Sequence, residues 1–116
     1  MDSAPENRRQ SRRFKLRLPL RYRLSEKGIE HRWSTGWTSD MSREGLVFKT
    51  RRALRVGSHI EIRIDWPARY EDVHPVELQT TGFVVRNEPG RTAVRINSHR
   101  FLVHSDMNEE PLGKTA

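Results

Sequence analysis

The sequence predicts an all-β fold, a six-stranded antiparallel barrel, on three observations. Phe14, Leu16, Leu18, Leu20, Tyr22 and Leu24 alternate with Lys15, Arg17, Pro19, Arg21 and Arg23, the period of a half-buried strand. Ile60, Ile62, Ile64 and Trp66 alternate in the same way with Glu61, Arg63 and Asp65. Turn-forming residues separate six such short runs, and no stretch carries a strong helical period.

The elements follow in order. Residues 1–13 have no apolar side chain beyond Met1, Ala4 and Pro5, and are expected to form a flexible arginine-rich arm. The barrel domain is expected over 14–104 and a polar tail over 105–116. The first strand runs from Phe14 to Leu24, with Pro19 on the outward parity, as at a sheet edge or bulge. After a turn at Ser25–Gly28, a second strand spans about His31 to Ser39, with Trp33, Thr35 and Trp37 on one face; that face reads equally as core or as a stacking surface. Asp40–Glu44 is a polar connection ending at Gly45, and Leu46–Thr50 is a short third strand. Val56-Gly57-Ser58 leads into the fourth, Ile60–Trp66, and Pro67–Pro75 reads as a long charged loop. Val76–Asn87 is the fifth strand, with a bulge or bend at Gly82, and Asn87-Glu88-Pro89-Gly90 is a hairpin turn. Thr92–Asn97 is the sixth, with Val94 and Ile96 inward. The pattern also admits a short C-terminal helix over residues 99 to 109. Phe14, Leu16, Leu18, Leu20, Ile60, Ile62, Ile64, Val84, Val94 and Ile96 are the expected core.

Composition narrows the function. Apolar residues are 34% and charged residues 32%, so one thin core is the most the chain can build. There is no cysteine, which excludes disulfides and thiolate metal sites and fits a reducing cytoplasm. No apolar run approaches the roughly 18 residues of a membrane span, and the first residues lack the apolar stretch of a signal peptide. The formal charge is +7, and the excess is concentrated in Arg8, Arg9, Arg12, Arg13, Lys15, Arg17, Arg21 and Arg23, a block without an acid. Such a block implies a localised anionic partner, and arginine offers a planar fork for phosphate or a guanine edge.

Catalysis finds no support. The chain has no G-x-S-x-G, no H-E-x-x-H and no glycine-rich phosphate loop, and its five histidines are scattered. No cofactor or metal is expected. Two motifs remain. Arg9-Gln10-Ser11-Arg12-Arg13 is an R-x-x-x-R directly before the first strand, with a shifted copy from Arg8 to Arg12. Asp40-Met41-Ser42-Arg43-Glu44-Gly45 is a D-x-S-x-x-G between the second and third strands. Each alone is ordinary: the first arises in any arginine-rich arm, and the second suits a loop with Asp and Ser capping a turn.

Together and in this order, with Leu18-Pro19-Leu20-Arg21-Tyr22, Val56-Gly57 and Gly82-Phe83-Val84-Val85-Arg86 following, they resemble the PilZ domain family of bacteria over about residues 8–103. The resemblance implies a six-stranded antiparallel barrel that acts as a non-catalytic cytoplasmic receptor for the second messenger cyclic di-GMP, and a downstream protein partner. It assigns ligand binding to Arg9, Arg13, Asp40, Ser42 and Gly45, with Arg8 and Arg12 as secondary candidates that would add charge or hold a second stacked ligand. The chemistry agrees. Guanine O6 and N7 are paired acceptors for an Arg fork, and Asp40 suits the N1–H and exocyclic amine. Two alternatives stand beside this: a small barrel binding single-stranded nucleic acid, and a PilZ-like domain acting through protein partners alone. A basic arm on acidic lipid lacks an apolar anchor and would bind weakly.

Overall fold

The computed structural model describes residues 14–26, 29–104 and 109–111. All described secondary structure is β: β1 (Pro19–Glu26), β2 (Ile29–Glu30), β3 (Ser34–Met41), β4 (Gly45–Lys49), β5 (His59–Tyr70), β6 (His74–Glu88), β7 (Arg91–His104) and β8 (Glu109–Pro111). Every pairing is antiparallel, in the order β1-β3-β4-β7-β6-β5, and β5 pairs back onto β1 from His59↔Ser25 to Ile64↔Leu20. Six strands therefore close a ring, which leaves no long open edge. The two-residue β2 pairs antiparallel with the end of β1, and β8 pairs with the end of β7.

The predicted alternation fills this ring. Leu20, Tyr22, Leu46, Phe48, Ile60, Ile62, Ile64, Leu78, Val84 and Val94 point into one buried cluster. Phe48 and Ile62 are wholly enclosed, and burial of such a side chain stabilises by roughly 1.5–3 kcal/mol. Leu54, from the link after β4, closes one end and is fixed by Asn87, whose side chain bonds both its N–H and its carbonyl. Among the described residues no helix is long and apolar enough to cross a membrane.

The structure differs from expectation in four of these readings. The first strand starts at Pro19, because Phe14–Leu18 is held to β3 by a looser set of bonds described below; Phe14 is exposed, and Leu16 and Leu18 are half-buried against the core. Ile96 is likewise only partly buried. No helix forms at 99–104, because β7 continues to His104 along β6, and residues 105–108 lie outside the described residues. The expected loop 67–75 is mostly strand. β5 and β6 run to Tyr70 and His74, and Glu71 and Asp72 turn the chain with φ of 51° and 65°, as a tight twisted hairpin requires. Trp33, Thr35 and Trp37 share a face as expected, and of the two readings left open for it, core or stacking surface, the structure makes it the outer one. The inward parity is carried by Gly36 and the wholly buried Thr38.

Candidate ligand-binding site

Asp40, Ser42 and Gly45 lie on the β3–β4 hairpin. The register slips there, from Thr38↔Phe48 to Asp40↔Val47, so Ser39 is an extra residue in β3. Without the bulge Asp40 would share the inward parity of Thr38. With it, Met41 turns into the core and Asp40 joins the outward face beside Val47. The bulge thus keeps a carboxylate out of the barrel interior, where an unpaired charge would be costly.

Ser42 closes the loop. Its N–H donates to the Gly45 carbonyl at 2.8 Å, and its hydroxyl lies 3.3 Å from that carbonyl and accepts from the N–H groups of Glu44 and Gly45 at 3.3 and 3.2 Å. The Glu44 carbonyl accepts from Ile96 N–H at 2.8 Å, which pins the loop to β7. At Gly45 a Cβ would stand 2.7 Å from the Val94 carbonyl oxygen. Gly45 is therefore required by the close approach of β4 to β7, and Ser42 holds the turn that makes this approach; both have a structural task whatever they bind.

The segment before β1 runs to the same hairpin. Phe14 and Met41 exchange both backbone hydrogen bonds, each at 2.8 Å. Thr38 anchors the rest: its N–H donates to Leu18 O at 2.9 Å, its hydroxyl accepts from Leu18 N–H at 2.8 Å, and the same hydroxyl donates to Leu16 O. Arg8, Arg9, Arg12 and Arg13 lie outside the described residues. Phe14, the residue bonded to Arg13, is nevertheless tied to Met41, which stands between Asp40 and Ser42.

The basic block divides in two. Arg21 pairs with Glu77 at 3.1 Å and Arg23 with Glu61 at 3.0 Å, and Gln79 bonds Glu61 at 3.2 Å. Arg21, Arg23 and Arg63 all lie over the Trp33 ring, 4.4–5.2 Å from its centroid. These arginines knit β1, β5 and β6 together on the outside of the barrel. Lys15 and Arg17, by contrast, stay exposed near the β3–β4 hairpin, and Arg17 sits over the Trp37 ring at 4.9 Å. Lys49 opposes Trp37 across β3–β4, and Arg91 opposes Lys49 across β4–β7. Among the described residues Lys15, Arg17, Lys49 and Arg91 have no carboxylate partner. The outer face around Asp40 is thus mainly cationic, with one exposed indole, and its described acids include Asp40, the exposed Glu44 of the same hairpin and Glu88 opposite Arg91. Trp37, Lys49 and Arg91 were not singled out from the sequence as ligand contacts; the available signal was the small, polar parity opposite the tryptophans.

An apolar cavity of about 220 Å³ opens beneath Phe14 and Met41, lined also by Leu16, Trp66, Ile96 and Phe101. Its wall is mainly apolar, with Ser42, Arg43, Thr80 and His99 as its polar members, so the more cationic outer face is the better match for an anionic ligand. Among the described residues no three His, Asp or Glu side chains converge as a metal site.

No curated protein matches the chain significantly. A family model described as PilZ domain matches residues 7–112, a span that takes in the hairpin, the segment tied to it and the whole closed ring, and on that match the chain belongs to the PilZ domain family.

Proposed function

We propose that this PilZ domain is a non-catalytic receptor for cyclic di-GMP, bound on the outer face beside the β3–β4 hairpin. Arg9 and Arg13 grip guanine edges and phosphates, Asp40 accepts from guanine N1–H and the exocyclic amine, and Ser42 and Gly45 shape the loop that receives the ligand. The observation that supports this most is the reciprocal Phe14–Met41 backbone pair. It ties the residue after Arg13 to the middle of the Asp-x-Ser-x-x-Gly loop, so an R-x-x-x-R arm and that loop can share one ligand. Membership of a family of cyclic di-GMP receptors supports it independently. A domain of this kind signals by shape: the arm closes over the ligand, and the closed surface is read by a protein partner.

The exposed Trp37 beside Arg17 and Lys49 also suits single-stranded nucleic acid. Calorimetric titration separates the two. Cyclic di-GMP should bind stoichiometrically at about micromolar level or tighter, near −8 kcal/mol, with GTP much weaker. Tight binding of single-stranded DNA with no heat from cyclic di-GMP would reject the receptor.

A further inference from the structure

We infer that Trp37 is the stacking platform for one guanine base of the ligand, an assignment that rests on the cyclic di-GMP reading above. The three tryptophans differ in what covers them. Trp33 lies beneath three arginines, and Trp66 packs edge-on against Phe101 at 5.3 Å. Trp37 remains 44% exposed, with Arg17 over its ring.

Position supplies the second argument. Trp37 and Asp40 oppose Lys49 and Val47, which are successive outward positions on β4. The bulge at Ser39 therefore makes Trp37 and Asp40 outward neighbours on β3, about 7 Å apart along the strand. A purine laid on the indole can then turn its Watson–Crick edge to the Asp40 carboxylate, one hydrogen bond of about 2.9 Å away. Arg17 lies over the same indole, Lys49 opposes it across β3–β4 and Arg91 stands one strand further, where these cations would meet the phosphates. Stacking is indifferent to base identity, whereas Asp40 selects for the donors of guanine. The two residues together would grip and discriminate one base.

The test compares wild type, Trp37→Ala and Trp37→Phe by calorimetry with cyclic di-GMP and by tryptophan fluorescence. Trp37→Ala should weaken binding by about 5- to 150-fold, with its melting temperature little changed because the side chain lies outside the buried core cluster. Trp37→Phe keeps a ring and should retain most of the affinity. Ligand should quench wild-type fluorescence, and that quenching should vanish in Trp37→Phe although binding persists. Unchanged affinity in Trp37→Ala, or undiminished quenching in Trp37→Phe, would overturn the inference and leave the receptor intact. A wild type that binds no cyclic di-GMP would overturn both. Oligonucleotide binding that disappears in Trp37→Ala, without any response to the dinucleotide, would reassign the surface to nucleic acid.

Discussion

Replacing both Arg9 and Arg13 with alanine should weaken cyclic di-GMP binding by about 100-fold or more. Each bidentate Arg–guanine contact is worth about 1–3 kcal/mol, or roughly 5- to 150-fold when removed singly. Asp40→Ala should fall in the same range, since its carboxylate is the proposed acceptor for guanine N1–H and the exocyclic amine. Arg69→Ala is the control: Arg69 is exposed in the β5–β6 hairpin region and donates to the Val73 carbonyl at 3.3 Å, away from the candidate site. It should bind like wild type. Stability should not follow affinity. If the arm is a ligand clamp, the double variant should unfold within about 0.5 kcal/mol of wild type, the usual range for surface changes. Calorimetry and urea unfolding on the same samples check both halves. Lost stability would make the arginines structural. Unchanged binding would move attention to the shifted register, Arg8 and Arg12.

Gly82→Ala should destabilise the fold by about 3 kcal/mol or more and lower the melting temperature by more than about 10 °C. A Cβ at this position would overlap the Arg95 carbonyl oxygen and stand 2.9 Å from its carbon. All of these are backbone atoms, so no side chain can swing aside. Gly82 faces a bulge in β7, where the register slips from Thr81↔Ser98 to Gly82↔Ile96 and leaves Asn97 as the extra residue, and it also opposes Ile60 on β5. The bulge bends two long strands so that the sheet can meet itself at β1–β5. The added methyl would force β6 and β7 apart at the bend. Thermal unfolding by circular dichroism measures the effect; a variant as stable as wild type would mean that the strands separate freely and the bend is not a constraint.

The fold was largely legible because period two states which residues face inward. Leu20, Ile60, Ile62, Ile64, Val84 and Val94 are all buried as the alternation predicts, and the interior glycine of β6 marks an irregularity in the ladder, although the extra residue there is Asn97 on β7. Where the reading strayed, the deciding contacts were long-range. Nothing local in Phe14–Leu18 reveals that Thr38 will take its backbone bonds. Nothing in Arg100–His104 reveals that β6 is long enough to keep that segment extended. The candidate site divides in the same way. Its two motifs are visible as strings, but a one-residue bulge at Ser39 decides that Asp40 faces outward next to Trp37. The partners of Arg21 and Arg23 are Glu77 and Glu61, on strands far along the chain, so composition alone cannot separate structural arginines from those left to bind.

The central claim is that the ligand lies on the outer face where the segment before β1 meets the β3–β4 hairpin. Amide chemical-shift mapping during titration with cyclic di-GMP tests it most directly. Saturable shifts are expected at Phe14, Lys15, Trp37 and Asp40–Gly45, with the Trp33 network on the outside of β1 and β5 little changed. Shifts centred instead on Ile29–His31 and Arg55–His59, or no shifts at saturating dinucleotide, would contradict it.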